Sequence, residues 1–179
     1  MTDRKLSLSD KEAIERDLHR TFPDNVRFKP EPGTSSTEET ELLVSLRRVL
    51  QSFALQHPQI GYCQSLNFIA ALLLLFMPEE KAFWMLHIIT TVYLPATHEV
   101  SLEGANVDLW VLAVALKKSI PGVWAKVDGK GLLEDGKKAK LPPISLCATS
   151  WFMSLYIGTL PVETVLRVWG EFLLLPALW

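Results

Sequence analysis

The stretch Ile60-Gly-Tyr-Cys-Gln-Ser-Leu-Asn-Phe-Ile-Ala-Ala-Leu-Leu-Leu-Leu-Phe-Met77 joins four polar side chains, Tyr62, Gln64, Ser65 and Asn67, to the most apolar run of the chain. From Leu66 to Met77 that run is too short to span a bilayer, which takes roughly 20 apolar residues. It is apolar nearly all round, as a core helix is, so a buried helix over about residues 64–77 is predicted. Before it, Leu42, Leu46, Val49, Leu50 and Phe53 recur at helical spacing while Arg47, Arg48 and Gln51 fall elsewhere. That pattern predicts an amphipathic helix over 41–57, stopped at His57-Pro58, with His57 as a helix-end cation that the dipole favours. After the run, Pro78-Glu79-Glu80 has the Pro and the carboxylates that suit a helix start, so 79–94 reads as helical and is closed by Pro95.

Further out, Ser9-Asp10-Lys11-Glu12 fits a capping box and predicts a helix to about Arg20, ended by Thr21-Phe22-Pro23, where Pro23 drives Phe22 out of helical geometry. Apolar patterns predict helices over 107–119, ending before Pro121-Gly122, over 147–157, and from Pro161 onward. Residues 29–40 and 129–143, rich in Pro, Gly and polar groups, read as exposed loops. No alternating strand pattern and no internal repeat stands out. The expected fold class is all-α, in a single domain over residues 1–179.

A hydrophobic fraction of 49% with 21% charged residues is that of a folded chain. Eighteen basic and twenty acidic residues give a net charge of -2, so no global field draws nucleic acid or an anionic membrane. Cys63 and Cys147 fit no metal or redox spacing and suggest free thiols in a reducing compartment. With no apolar leader at the N-terminus, a cytoplasmic protein without a transmembrane segment is expected.

Several candidate chemistries fall away. Residues 131–138, GLLEDGKK, come within one position of a phosphate-cradling loop. Lys138 stands where a hydroxyl must hold magnesium, Glu134 and Asp135 repel phosphate, and no strand precedes the loop. His19, His57, His87 and His98 lack zinc-ligand spacing, and no nucleophile elbow is present. His87 reads as a hydrogen-bonded core residue. Asp17 and Arg20, three apart on a helix, read from spacing alone as a surface ion pair, and Trp84, Trp110, Trp124, Trp151 and Trp169 as core.

Three ordered blocks carry more. "IERDLHRTFPDNVRF" (14–28), "IGYCQSLNFIAALLLL" (60–75) and "WFMSLYIGTLPVETVLRVWGEF" (151–172) resemble the successive signature blocks of the TBC-domain Rab GTPase-activating proteins. The first is similar to I-x-x-D-x-x-R-T-F-P, the second to Y-C-Q-G-x-N, the third to W-F-x-x-L-F-x-x-x-L-P followed by R-x-W-D. The resemblance implies an all-helical domain with an N-terminal subdomain and part of a C-terminal one. It implies a GTP-bound Rab-type GTPase as partner, with Arg20 as an arginine finger and Gln64 as a glutamine finger. Asp17 matches the acid that supports the arginine, and Tyr62 and Asn67 flank the glutamine. No cofactor or metal of its own is expected, since GTP and magnesium belong to the GTPase; the chain is then an activator, not an enzyme, acting in vesicle traffic and carried to endomembranes by its partner.

The chain departs from that pattern in three ways. Ser65 and Leu66 stand where the family more often has Gly and Met, and Gly170 replaces the acid after Trp169. The family also continues beyond EFLLLPALW, so the domain is expected to be incomplete at its C-terminus, with Val165, Leu166, Val168, Phe172 and Leu173 to Leu175 short of packing partners. The alternative reading is a non-catalytic module that binds a Rab and activates nothing. A helix cap is the structural alternative for Gln64, Ser65 and Asn67.

Overall fold

The computed structural model describes residues 5–29, 39–127 and 143–174. The described residues form eight α-helices: α1 (Leu8–Leu18), α2 (Glu41–Gln56), α3 (Leu66–Phe76), α4 (Glu79–Ile88), α5 (Glu103–Ser119), α6 (Pro121–Val127), α7 (Ser145–Met153) and α8 (Val162–Leu174). A π-helical turn, Ile89–Tyr93, extends α4. No β-strand occurs among the described residues; one isolated bridge joins Ile157 and Leu160. The all-α expectation holds. The chain divides into two compact units, Met1–Tyr93 and Leu94–Trp179. The exposed loops expected over 29–40 and 129–143 fall almost wholly outside the described residues, as does the 131–138 segment.

In the first unit α3 is the buried element. Leu66, Asn67, Ile69 and Ala70 to Leu74 are all buried, because a helix apolar on every side is stable only when neighbours cover it. α2 covers it with Leu43, Leu46, Val49, Leu50 and Phe53, and α1 adds Ile14 and Leu18. Polar links fix the order of the helices. Arg47 of α2 reaches Glu15 of α1 (Nε to Oε1, 2.8 Å) and also pairs with Glu39, while Ser45 Oγ donates to Glu79 of α4 at 2.9 Å and Arg48 pairs with the same carboxylate.

The structure corrects several boundaries and environments. α1 is capped by Ser7, not Ser9: the Ser7 hydroxyl accepts from the Asp10 amide at 3.0 Å, and the helix starts two residues earlier than the capping pattern suggested. α3 begins at Leu66, so Gln64 precedes the helix instead of opening it. His57 is not a helix-end cation. It is 5% exposed, stacks on Phe53 and His87, and its Nε2 lies 3.0 Å from His87 Nδ1. Burial, and then the neighbouring His87, lower its pKa and keep it neutral. Trp84, expected in the core, is 51% exposed.

The second unit is built on α5, which packs on α6 and α7. α6 begins where the apolar pattern was read as stopping, since Pro121 occupies a first helical position and the chain resumes instead of ending. Gly104 opens α5 against the preceding segment: its amide donates to the Ala96 carbonyl at 3.1 Å, and a Cβ there would sit 2.2 Å from the Pro95 oxygen. The Trp169 indole donates to the Leu155 carbonyl at 3.0 Å, which holds α8 with Val165 buried beside it. Among the residues expected to lack packing, Val165 is buried, Leu166 is at the edge of exposure and Leu174 is open. An added Cβ at Gly170 would meet nothing within 4 Å.

Candidate functional site

The site is built in the first unit, from the C-terminal end of α1 and the loop that enters α3. Ile14 and Leu18 fix α1 in the core, and their helical phase turns Asp17 inward with them. Asp17 is 1% exposed, so the surface ion pair read from spacing is instead a buried carboxylate with a half-exposed arginine. A buried carboxylate is costly unless it is paired and hydrogen-bonded, and Asp17 is both. Its Oδ2 accepts from the Tyr62 hydroxyl at 2.7 Å, and its Oδ1 lies 2.7 Å from Arg20 Nη2. The Arg20 contact is a close charge pair without the alignment of a good hydrogen bond, and Oδ1 has no other partner at bonding distance; Arg16 stands 3.8 Å away. Arg20 keeps 44% of its side chain exposed. Its charge is held at the surface by a counter-ion that is itself fixed.

After Arg20 the backbone turns sharply. Thr21 is buried and Phe22 leaves the helical region as expected before Pro23, but it does so at φ +47, in left-handed geometry instead of the extended region that a following proline favours. Phe22 then packs edge-on to Phe28, with ring centroids 5.7 Å apart, and on Phe68 of α3 at 6.0 Å. Thr21 carries a link that the motif reading missed. Its hydroxyl donates to the Asp17 carbonyl at 2.7 Å and accepts from Asn67 Nδ2 at 2.8 Å, while Asn67 Oδ1 accepts from the Ser65 amide at 3.2 Å. One chain of bonds thus runs from the end of α1, just before Arg20, to the residue after Gln64. The signal available in sequence was only a hydroxyl next to the arginine, which spacing gives no reason to pair with an amide 46 positions on.

Asn67 does more than cap: its Oδ1 takes the amide of Ser65 at the N-cap position of α3, while its Nδ2 reaches Thr21, so this fully buried side chain spans two elements. Ser65 stands at the cap position without a side-chain cap bond. It adopts φ +106, a region that glycine occupies without penalty and that costs a residue with a Cβ, and its hydroxyl is buried with no partner. Gln64 is exposed, and among the described residues no hydrogen bond holds its carboxamide. The loop around it is fixed on the upstream side too, where the Tyr62 amide donates to Asp10 Oδ1 at 3.0 Å.

The electrostatics leave Arg20 as the charged group of the site and Gln64 as a neutral donor and acceptor. Burial, then the bond to Asp17, raise the pKa of Tyr62, so it remains a protonated donor to the carboxylate. Burial pushes the Cys63 thiol up to about 11, which makes it inert as a nucleophile beside Gln64. Both cysteines are free. Among the described residues there is no cluster of three or more His, Cys, Asp or Glu that would hold a metal ion, and no helix is long and apolar enough to cross a membrane. A guanidinium poised over a fixed carboxylate, together with a free carboxamide on a pinned backbone, can offer charge and water-orienting hydrogen bonds to a ligand brought from outside.

Comparison with known proteins bears on what that ligand is. The family model described as the Rab-GTPase-TBC domain matches residues 1–177. The chain is similar to the GTPase-activating protein GYP3 of Saccharomyces cerevisiae, 46% identical over 182 residues that cover 90% of the chain and 28% of GYP3. It is similar to the GTPase-activating protein MSB4 of the same yeast, 47% identical over 177 residues covering 92% of the chain and 36% of MSB4. Growth hormone-regulated TBC protein 1 of Rattus norvegicus is 38% identical over 154 residues, 86% of the chain and 48% of that protein. The chain thus spans between about a quarter and a half of the length of these relatives.

Proposed function

The chain belongs to the Rab-GTPase-TBC domain family, and from that premise we propose that it accelerates GTP hydrolysis by a Rab-type GTPase in its GTP-bound form, with Arg20 and Gln64 as the two groups supplied in trans. The observation that carries this reading is the shared mount of the two residues. Arg20 rests at 2.7 Å on the buried Asp17 carboxylate, and Asp17, through its carboxylate to Tyr62 on one side and through its main-chain carbonyl to Thr21 and Asn67 on the other, braces the loop that presents Gln64.

In phosphoryl transfer from GTP to water, negative charge builds on the γ-phosphoryl and bridging oxygens, and a guanidinium delivered there stabilises the transition state. Arginine suits the task because its planar fork stays charged and offers several donors together. The carboxamide of Gln64 has both a donor and an acceptor, so it can hold the attacking water in line while bonding to neighbouring backbone. Asp17, Tyr62, Thr21 and Asn67 touch no substrate in this scheme; they set where the two groups stand. GTP and magnesium are held by the GTPase, which makes this chain an activator, drawn to endomembranes through its partner.

The test is single-turnover GTP hydrolysis by a panel of Rab-type GTPases with and without the chain, its Arg20→Ala variant and its Gln64→Ala variant. Stimulation by the parent chain that is lost in both variants supports the paired roles. Binding of a GTP-loaded Rab without stimulation would instead identify a non-catalytic binding module.

A further inference from the structure

We infer that Asp10 is a positioning residue for Gln64, acting from the first turn of α1, the helix that leads into Arg20. The inference rests on the function proposed above and deepens it. Asp10 lies in the first turn of α1, two helical turns before Asp17. Its carboxylate has two engagements. Oδ2 accepts from the Ser7 hydroxyl at 2.7 Å, while the same hydroxyl accepts from the Asp10 amide at 3.0 Å, so the helix cap locks the Asp10 side chain. Oδ1 accepts from the Tyr62 amide at 3.0 Å, across 52 positions of sequence.

The loop is shaped to receive that contact. Gly61 has φ +60, and a Cβ there would lie 3.1 Å from Asp10 Oδ1 and 3.3 Å from Oδ2, so glycine serves both the turn and the close approach of the carboxylate. The amides of Ile60 and Gly61 are taken by the His57 carbonyl at 2.9 and 2.8 Å, and the next amide, Tyr62, is taken by Asp10. Downstream, the Ser65 amide is held by Asn67. Gln64 thus sits between a clamp from α1 and a clamp from α3, and among the described residues no hydrogen bond holds its side chain. A neutral residue that must orient a water gains most from a rigid backbone, since its carboxamide has no counter-ion to define where it rests. Asp10 and Asp17 divide the task along one helix: Asp17 holds the Tyr62 hydroxyl and Asp10 the Tyr62 amide, so both the side chain and the backbone of that residue are tied to α1.

The experiment combines amide hydrogen exchange with single-turnover hydrolysis on the chain and its Asp10→Ala, Asp10→Asn and Ser7→Ala variants. Asp10→Ala should raise exchange across residues 61–65 and lower the maximal stimulated rate on the order of tenfold, with the GTPase concentration for half-stimulation unchanged. Asp10→Asn keeps an oxygen for the Tyr62 amide and should restore both. Ser7→Ala weakens the cap without removing that oxygen and separates helix fraying from loop release. In the Gln64→Ala background, Asp10→Ala should cost nothing more in rate. Unchanged exchange at 61–65 in Asp10→Ala, failure of Asp10→Asn to restore it, or an equal further loss of rate without Gln64 would overturn the inference. Should the parent chain stimulate no GTPase, the proposed function fails, while the exchange arm still decides whether Asp10 fixes this loop.

Discussion

The end of α1 and the loop entering α3 each present one exposed polar residue, and they prepare it in opposite ways. Arg20 is restrained through its side chain, by a charge pair with a carboxylate that is 1% exposed. Gln64 is restrained through its backbone, with the Tyr62 and Ser65 amides held on either side and its carboxamide free. The difference follows from charge. A guanidinium without a counter-ion would be drawn into water in many conformations, and a buried carboxylate without a cation would be expensive, so each supplies what the other lacks. A carboxamide has no such partner to find. Its position is limited only by how firmly the peptide beneath it is fixed.

The sharpest way to break this comparison is to truncate each residue and measure rate and stability together. Arg20→Ala should lower stimulated hydrolysis by roughly a thousandfold to a hundred-thousandfold, the range for arginine fingers of GTPase activators, and Arg20→Lys should recover little because the planar fork is lost. It should also lower the melting temperature, since Asp17 Oδ1 keeps only the more distant Arg16. Gln64→Ala should cut the rate on the order of a hundredfold and leave stability within about 0.5 kcal/mol, because nothing is anchored by its side chain. Equal losses of stability in the two variants would contradict the division between them.

Asp17→Ala should act on both regions together. It strands the Tyr62 hydroxyl and frees Arg20, and urea unfolding should show a loss of about 2–3 kcal/mol. A smaller effect, of opposite sign, is expected at Ser65. Ser65→Gly removes a Cβ from φ +106 and a buried hydroxyl without a partner, against the greater freedom of glycine when unfolded; a net gain of about 1 kcal/mol should appear as a raised denaturation midpoint. If the variant is instead less stable, the strain is not where the backbone angle puts it.

The mildest test uses acidity. His57 and His98 both have pKa values lowered chiefly by burial, His57 further by His87, while the bond from His98 to the Met153 carbonyl works the other way. The unfolded chain then takes up protons near pH 6.5 that the folded chain refuses, so stability is fully present above about pH 6.5 and falls as pH drops through 6.5 toward the folded values. The Tm should decline across that window, and His98→Gln, which keeps a donor for the Met153 carbonyl, should flatten the decline. A pH-independent Tm between 7.5 and 5.5 would show that neither ring is kept neutral by burial.

Much of this molecule was legible before any coordinates. The apolar run after Leu66, the periodic leucines of α2 and the prolines at 78, 95 and 161 locate helices because burial and the missing proline N–H act locally, within one turn. The same locality explains the errors. Ser9 and Ser7 both precede an acid three positions on, and only the bond actually made, Ser7 to Asp10, distinguishes them. His57 looked like a cation at a helix end because nothing in its neighbourhood announces that Phe53 and His87 will enclose it.

The sequence by itself determined the fold class and, through its three ordered blocks, the family, since each depends on short-range pattern and residue chemistry; Arg20 and Gln64 were singled out through the resemblance those blocks carry. Only the tertiary structure decided how those residues are held. Asp17 became a buried counter-ion instead of a surface partner, Thr21 and Asn67 became a bridge between two helices, Ser65 took a glycine's conformation, and Asp10 acquired the Tyr62 amide. Three of the contacts behind this, Tyr62 to Asp17, Asn67 to Thr21 and Tyr62 to Asp10, join segments 40 or more positions apart, and neither spacing nor composition encodes which distant group will arrive to satisfy a buried polar atom.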